Sequence, residues 1–215
     1  KVNRAWLHDH VNDSYVKMAQ KDGYRARAAY KLIEIDHALH LLKPGQLVVD
    51  LGSTPGAWSQ YAQRQLRLRP QIGHAASGVQ IGRVIALDVL PMEPIDGVEF
   101  IQGDIRSDEV LAELSGRLQG RQADLVLSDM APNLSGVSAT DAARVELLIE
   151  LALEFAQHHL KPEGALVAKV FHGAAYDTLF KQFSNVFQVV KRIKPKASRG
   201  RSSETFLVGL GLRPN

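Results

Sequence analysis

Apolar residues in this chain fall into two patterns, short continuous runs and longer stretches with helical spacing. Seven runs rich in Val, Ile, Leu and Phe predict buried strands at 46–51, 83–87, 98–101, 123–128, 165–171, 187–193 and 205–210. Helical spacing predicts helices at 56–65, 107–118, 140–159 and 176–183. Strands that alternate with helices of this length indicate an α/β fold, a doubly wound and mainly parallel seven-stranded sheet of the Rossmann-like type.

The alternation is interrupted in three places. Residues 13–41 have helical spacing on both sides of Gly23 and predict two helices, so we divide a single domain, 1–215, into an N-terminal helical segment, 1–43, and a core, 44–215. The connection between the last two strands is too short for a helical crossover, which predicts an antiparallel hairpin at the sheet edge. In residues 66–82, Gly, Pro, Ser and Ala interrupt the pattern and predict a long surface loop.

Composition narrows the class of protein. The chain has 215 residues, 45% of them hydrophobic, which is enough to fill the core of one domain. It has no cysteine, which excludes disulfides, thiolate metal sites and cysteine nucleophiles. No apolar stretch is long enough to span a membrane and no signal peptide is visible, so we expect a cytoplasmic protein that does not bind membranes. We also expect a monomer.

Basic residues are concentrated in two clusters, within 17–31 and within 191–201, although the net charge is only +3. Either cluster alone is as typical of a solvated surface as of a binding surface, but two clusters in one domain favour a polyanionic partner. The side chains that we expect to bind this polyanion are Arg25, Arg27, Lys194, Lys196, Arg199 and Arg201.

The first predicted strand ends in a glycine-containing segment, at the edge where open α/β sheets bind ligands. The candidate cofactor residues of this segment are Asp50, Gly52, Pro55, Gly56 and Trp58. Gly52 and Gly56 let the backbone approach a ligand closely, and Trp58 offers an apolar wall. A dinucleotide fingerprint also requires glycine where Thr54 and Ala57 stand, so pyrophosphate binding is disfavoured.

Two further carboxylates end the next two strands. Asp88 could accept hydrogen bonds from ribose hydroxyls, and Asp104 lies where an adenine amino group would fall. One aspartate at a strand end is more often a cap or turn residue, but three at successive strand ends indicate an adenosine pocket. An adenosine pocket without a pyrophosphate signature predicts S-adenosyl-L-methionine as the cofactor.

Residues for the reaction itself follow the fourth and fifth strands. Asp129 lies in Ser-Asp-Met-Ala-Pro-Asn, which lacks the aromatic residue typical of amino-group methyltransferases, and there is no cysteine for pyrimidine C5 chemistry. A hydroxyl acceptor is therefore favoured, and it needs a base. Lys169 lies within an apolar strand, where burial favours the neutral amine. The alternative is a lysine that extends from a strand end into solvent.

These motifs, in order, resemble a known family. Asp-Leu-Gly-x-x-Pro-Gly-x-Trp at 50–58, Ser-Asp-Met-Ala-Pro-Asn at 128–133 and Lys-Val-Phe at 169–171 are similar to the bacterial large-subunit ribosomal RNA methyltransferase E family, also called FtsJ or RrmJ. The resemblance covers nearly the whole chain. The chain departs from the family pattern at Ala57, where a second glycine is usual, and in the length of the 66–82 loop.

The resemblance implies an enzyme that uses S-adenosylmethionine to methylate the ribose 2′-hydroxyl of a uridine in 23S ribosomal RNA, on the 50S particle. It implies a catalytic set with Lys169 as proton acceptor, made of Lys31, Asp129, Lys169 and Glu204. It also implies cofactor contacts from Gly56, Trp58, Asp88, Asp104 and Asp129.

Three alternatives stay open. A nicotinamide-dependent oxidoreductase is disfavoured by the incomplete glycine fingerprint. A non-catalytic RNA-binding assembly factor would have no need of the complete Lys-Asp-Lys-Glu set. A relative that acts on transfer RNA or another RNA is the nearest competitor. The paired histidines at 8/10 and 158/159 lack partners at ligand spacing, so we expect no metal.

Overall fold

The computed structural model describes residues 13–67, 82–132, 138–173, 175–198 and 202–214. The strands are β1 (Leu47–Leu51), β2 (Arg83–Asp88), β3 (Val98–Gln102), β4 (Ala123–Ser128), β5 (Leu160–Phe171), β6 (Phe187–Ile193) and β7 (Glu204–Leu212). The helices are α1 (Ser14–Asp22), α2 (Ala29–Leu39), α3 (Ala57–Arg67), α4 (Asp108–Leu118), α5 (Ser138–His159) and α6 (Tyr176–Val186).

The strands form one seven-stranded sheet in the order β3-β2-β1-β4-β5-β7-β6. The first five are parallel, and β7 runs antiparallel between β5 and β6. The prediction of a mainly parallel sheet with an antiparallel edge hairpin is therefore confirmed. Strand β5 begins at Leu160, five positions before the predicted start, because Leu160 pairs with Ala123 ahead of an irregularity at Pro162–Gly164 that the sequence pattern does not show.

Helices cover both faces of the sheet. Helices α2 and α3 pack on one face around Leu32, Ile35 and Trp58, together with Phe206 of β7. Helices α4, α5 and α6 pack on the other, in a cluster that includes Phe183. Burial on both faces explains why the central strands read as continuous apolar runs rather than as alternating patterns.

Both predicted N-terminal helices are present. Asp13 caps α1 by accepting a hydrogen bond from the Tyr15 backbone N–H at 2.9 Å. Gly23 ends α1 in the left-handed conformation, with φ of 70°, which glycine adopts at little cost. The chain then turns into α2, which carries Lys31 and Glu34.

Of the predicted loop at 66–82, residues 66 and 67 form the end of α3, and 68–81 lie outside the described residues. Among the helices of the described residues, none is long and apolar enough to cross a membrane.

Candidate active site

The sheet order reverses beside β1, because β2 lies on one side of it and β4 on the other. Parallel α/β sheets bind ligands outside the carboxyl ends of the strands at such a switch point. Here β1 supplies Asp50 and β4 leads into Asp129, whose backbone N–H donates to the Leu51 carbonyl at 3.1 Å. The two strand ends are thereby held side by side.

The loop after β1 passes very close to the segment after β4. Gly52 has a φ of 76°, and a Cβ at this position would lie 2.8 Å from the backbone N and Cα of Met130. The Gly52 N–H donates to the Leu87 carbonyl at 2.8 Å, which ties the loop to β2 as well. Glycine is therefore required at 52 both by its backbone conformation and by the close approach.

Asp50 is a fully buried carboxylate at the centre of this edge. Its Oδ2 accepts a hydrogen bond from the Ser59 hydroxyl at 2.6 Å. Burial raises the pKa of Asp50, the Ser59 hydrogen bonds lower it and the charges of Asp129 and Asp88 raise it, so that its pKa is about 7. Within the described part of the chain, Asp50 Oδ1 and Ser53 Oγ are buried without a hydrogen-bond partner. Buried oxygens in this state favour a ligand that brings donors or positive charge.

Asp88 holds the turns on both sides of it. Its Oδ2 accepts from the Thr54 N–H at 2.8 Å and its Oδ1 from the Leu90 N–H at 2.9 Å. A carboxylate oxygen can accept more than one hydrogen bond, so both oxygens retain capacity for hydroxyl groups. Val89 and Leu90, which follow at once, are more than half exposed and add an apolar surface beside this carboxylate.

Asp104 and Trp58 make contacts that the sequence did not predict. The Asp104 carboxylate accepts hydrogen bonds from the Arg106 guanidinium, with Nε 2.9 Å from Oδ1, and this interaction holds the pKa of Asp104 below its ordinary value. Trp58 is only 2% exposed. Its indole N–H donates to the Ala28 carbonyl at 2.8 Å, and its ring centroid lies 5.7 Å from that of Phe206. Trp58 thus holds the start of α2 against α3 and β7.

The four predicted catalytic side chains come together at the same edge. Lys169 Nζ donates to the Asp129 backbone carbonyl at 2.7 Å and lies 3.0 Å from Asp129 Oδ1. Lys31 Nζ lies 2.8 Å from both carboxylate oxygens of Glu204. Lys169 is directly opposite Phe206 in the β5/β7 ladder, and Lys31 Nζ is 6.0 Å from the Phe206 ring centroid. Two lysine–carboxylate pairs therefore flank one aromatic ring.

The environment of Glu204 favours its charged form. Burial by itself would raise the pKa of Glu204, but the charge and hydrogen bond of Lys31, the Ser198 hydroxyl and the charge of Lys169 outweigh it, so the pKa is lowered. The Ser198 hydroxyl donates to Glu204 Oε1 at 2.8 Å. A cleft of about 260 Å³ opens beside this pair, lined by Arg27, Ala28, Lys31, Ala197, Ser202 and Glu204.

The predicted phosphate-binding residues separate into different groups. The Arg25 guanidinium donates to the backbone carbonyls of Pro55, Glu93 and Pro94 at 2.5–3.1 Å. Since these bonds occupy it with the loops of the candidate cofactor site, the structure does not support Arg25 as a phosphate ligand. Arg27 also has protein partners, the Asp13 carboxylate and the Ala197 carbonyl.

The second basic cluster is more open. Lys194 and Lys196 are exposed, and Lys194 Nζ donates to the Ser202 carbonyl at 3.0 Å. Arg199 and Arg201 lie outside the described residues.

Sequence reasoning missed two residues that support the catalytic set. One is Ser198, which contacts Glu204. The other is Glu34, which accepts hydrogen bonds from the backbone N–H groups of Lys196 and Ala197 at 2.6 and 2.9 Å. Glu34 could have been found from its position three residues after Lys31, because residues at that spacing share one face of a helix. Nothing in the sequence marks Ser198.

The family model for FtsJ-like methyltransferases matches residues 24–212. The chain belongs to this family. A protein named ribosomal RNA large subunit methyltransferase E from Albidiferax ferrireducens is 69% identical over 216 residues, covering 100% of this chain and 96% of the relative. A protein of the same name from Variovorax paradoxus is 68% identical, covering 99% of this chain and 94% of the relative. The predicted family and the prediction of a methyltransferase are thereby confirmed.

Solved structures agree with the fold. A Plasmodium falciparum protein named as a ribosomal RNA methyltransferase is 29% identical, with a TM-score of 0.74, covering 89% of this chain and 100% of that one. Human methyltransferase-like protein 13, solved in complex with SAH, is 16% identical with a TM-score of 0.58, covering 86% of this chain and 82% of that one. At that identity the human protein supports the fold alone.

Proposed function

We propose that this protein transfers a methyl group from S-adenosylmethionine to the ribose 2′-hydroxyl of a uridine in 23S ribosomal RNA, on the 50S particle. One observation carries the proposal: Lys169 and Asp129, with Lys31 and Glu204, meet at the sheet edge beside Asp50. The names of the close relatives, large subunit methyltransferase E, support ribosomal RNA as the substrate class. The particle, the nucleotide and a monomeric state stay predictions.

The residues at the switch point fit a sulfonium cofactor. The buried, unpartnered oxygens of Asp50 and Ser53 would face a ligand that carries positive charge and ammonium donors. Asp88 retains acceptor capacity for ribose hydroxyls, and Val89 and Leu90 offer apolar contact to a purine. Bound there, the cofactor would supply an electrophilic methyl group.

Lys169 is proposed as the proton acceptor. Its Nζ is held by the Asp129 carbonyl at 2.7 Å, so the amine points to a fixed place at the end of β5. The proton of the ribose hydroxyl would pass to Nζ as the oxygen forms its bond to the methyl carbon. Asp129 holds this amine from one side and Glu204 lies near it with Lys31, so the amine is oriented and the transferred proton stays beside two carboxylates.

The remaining contribution is alignment. In-line transfer needs the attacking oxygen, the methyl carbon and the leaving sulfur on one axis, and holding them so can supply a large share of the rate. The cleft beside Lys31 and Glu204 opens at the edge where Lys169 lies, which makes it a candidate entry for the ribose.

The proposal is tested by Lys169→Met, which keeps the length of the side chain and removes the amine. Wild-type protein and variant are incubated with labelled S-adenosylmethionine and either undermodified 50S particles, naked 23S ribosomal RNA or transfer RNA, and the methylated ribose is mapped. We expect transfer to a 23S uridine by the wild type, loss of transfer by a factor of about 10² or more in the variant, and unchanged affinity for S-adenosylhomocysteine by calorimetry.

Lys161→Met is the matched control. Lys161 lies near the opposite end of the same strand, where its Nζ pairs with Asp124 Oδ1 at 2.6 Å, and its loss should leave transfer intact. Near-normal turnover by Lys169→Met would exclude the proton-acceptor role. Methylation of transfer RNA in preference to both ribosomal substrates would exclude the proposed substrate.

A further inference from the structure

Four side chains at the β5/β6 end of the sheet form a continuous stack that the proposed reaction does not use. The His172 ring lies against the Tyr176 ring, with centroids 4.4 Å apart and planes 32° apart. The Arg192 guanidinium carbon lies 5.4 Å from the Tyr176 centroid and 3.9 Å from the Phe180 centroid. We call His172, Tyr176, Arg192 and Phe180 the aromatic–arginine column.

Local sequence builds this column. Tyr176 and Phe180 are four residues apart on α6, so their rings lie on one side of it. His172 comes from the segment between β5 and α6, and its ring lies against that of Tyr176. Arg192 comes from β6, whose side chains at this position face α6. Tyr176 is buried and Phe180 half-buried, whereas His172 and Arg192 are exposed. The column is therefore rooted in the core and open to solvent at His172 and Arg192.

The column lies at the same sheet edge as the catalytic set. His172 follows β5 directly, three residues after Lys169, a separation of roughly 10 Å along an extended strand. The His172 N–H donates to the Ser203 carbonyl at 2.9 Å, one residue from Glu204. Arg192 pairs with Leu207, which pairs with Ala168. Ala168 and Leu207 pack with α4, α5 and α6, whereas Phe206, opposite Lys169, packs with α2 and α3, so the column and Lys169 lie on opposite faces of the sheet and share its edge. An RNA strand that presents a ribose to Lys169 would reach the column by crossing this edge.

The charge on Arg192 is not used within the described residues. No carboxylate among them forms an ion pair with Arg192, and none of their oxygens accepts a hydrogen bond from its guanidinium. Contact with two rings holds the guanidinium in place without using its N–H groups, which suits the binding of a phosphate. A Cβ at Gly173, beside His172, would meet no described atom within 4 Å, so the space next to the imidazole is open.

We propose that the aromatic–arginine column is a nucleotide-binding surface for the RNA substrate. An unpaired base next to the methylated nucleotide stacks on His172, and Arg192 binds a phosphate of the same strand. Aromatic rings and a stacked arginine are the usual means of holding single-stranded RNA, because every base offers a π-face. The inference extends the proposed function, since it takes RNA to be the substrate.

Binding of in vitro transcribed 23S ribosomal RNA, measured at pH 8 between about 50 and 200 mM KCl, separates the two roles. His172→Ala should weaken binding about fivefold or more with an unchanged salt slope, because a lost stack removes no charge. His172→Phe should restore affinity. Arg192→Ala should weaken binding and also reduce the slope of log K against log salt by about 0.7, the loss of one phosphate contact to a single strand.

Lys181→Ala is the matched control, because it removes a positive charge from the exposed surface of α6 outside the column. It should bind RNA within about twofold of wild type, and all variants should unfold cooperatively and keep wild-type affinity for S-adenosylhomocysteine. Normal RNA binding by both His172→Ala and Arg192→Ala would overturn the inference, as would equal losses in Lys181→Ala and Arg192→Ala.

The outcomes also separate this inference from the proposed function. Wild-type methylation of a 23S ribose together with normal RNA binding by the column variants would reject the column and keep the function. Loss of RNA binding in the column variants, with no methyl transfer by the wild type, would support the column and reject the function.

Discussion

Replacing Asp50 with asparagine should change how the stability of the protein depends on pH. Asp50 is fully buried, and burial raises its pKa to about 7 from an ordinary value of 3.8. Between these two values the unfolded chain has lost the proton and the folded protein retains it. Folding then takes up a proton, so the free energy of unfolding falls as pH rises and levels off above the folded-state pKa.

The size of the effect follows from the linkage relation. Each pH unit in this window costs ~1.4 kcal/mol, so between pH 5 and pH 8 the wild type should lose ~3 kcal/mol through this group alone. The asparagine side chain of the variant cannot ionise, so it contributes no such loss. The difference in unfolding free energy, wild type minus Asp50→Asn, should therefore fall by ~3 kcal/mol over that range, whatever the other ionisable groups contribute.

Urea unfolding of both proteins at pH 5, 6, 7 and 8 measures this difference directly. Because S-adenosylmethionine is a cation, its binding should favour ionised Asp50, and calorimetry near pH 6.5 in two buffers of different ionisation enthalpy should show proton release in the wild type only. A difference that stays constant within about 1 kcal/mol from pH 5 to pH 8 would refute the assignment of a raised pKa.

Three further predictions concern the same edge of the sheet. In urea unfolding, Gly52→Ala should lower the free energy of unfolding by ~2 kcal/mol or more in excess of the loss caused by Gly120→Ala, because both glycines have a positive φ but only Gly52 would also place a Cβ against backbone atoms. Equal losses in the two variants would contradict the close contact. Arg25→Ala should weaken S-adenosylhomocysteine binding several-fold, measured by calorimetry, and leave the salt dependence of RNA binding unchanged, because the Arg25 guanidinium binds backbone carbonyls of the loops at this site. A reduced salt dependence would support Arg25 as a phosphate ligand. Ser198→Ala should raise the pKa of Glu204, so on acidification from pH 6 to pH 3 the variant should lose stability, measured by urea unfolding, at a higher pH than the wild type. If both proteins lose stability at the same pH, the hydroxyl has no such effect.

The order of elements could be predicted from the sequence because each element has its own hydrophobic period. The parallel strands are buried on both faces and read as apolar runs, while α2 and α6 show helical spacing. The start of β5 could not be predicted, since Pro162 and Gly164 lie inside it and the strand is continued across them only by the pairing of Leu160 with Ala123. That pairing is a property of the assembled sheet.

The positions of the candidate site residues could be predicted where a residue stands at the end of a strand. Asp50, Asp129 and Lys169 lie where the strand pattern placed them, and the Lys31–Glu204 pair that the family resemblance implied lies beside them. The contacts of Arg25 with backbone carbonyls could not be predicted, because charge is visible in a sequence but its partners are not. The carbonyls of Pro55 and Glu93 are 30 and 68 residues away, and backbone acceptors leave no mark on composition. The Asp104–Arg106 contact, by contrast, spans two residues and could have been anticipated.

The helical segment 1–43 is tied to the active site at three separate points within ten residues. Arg25 donates hydrogen bonds to the loops of the candidate cofactor site, Lys31 pairs with Glu204, and Glu34 accepts a hydrogen bond from the backbone of the second basic cluster at Lys196. Each contact joins residues far apart in the chain, so each depends on the folded sheet. Through these three contacts, the position of α2 depends both on the loops of the candidate cofactor site and on the second basic cluster. A ligand that stabilises one of these attachments should therefore favour the other two, which gives cofactor and RNA binding a physical route of mutual dependence through α2.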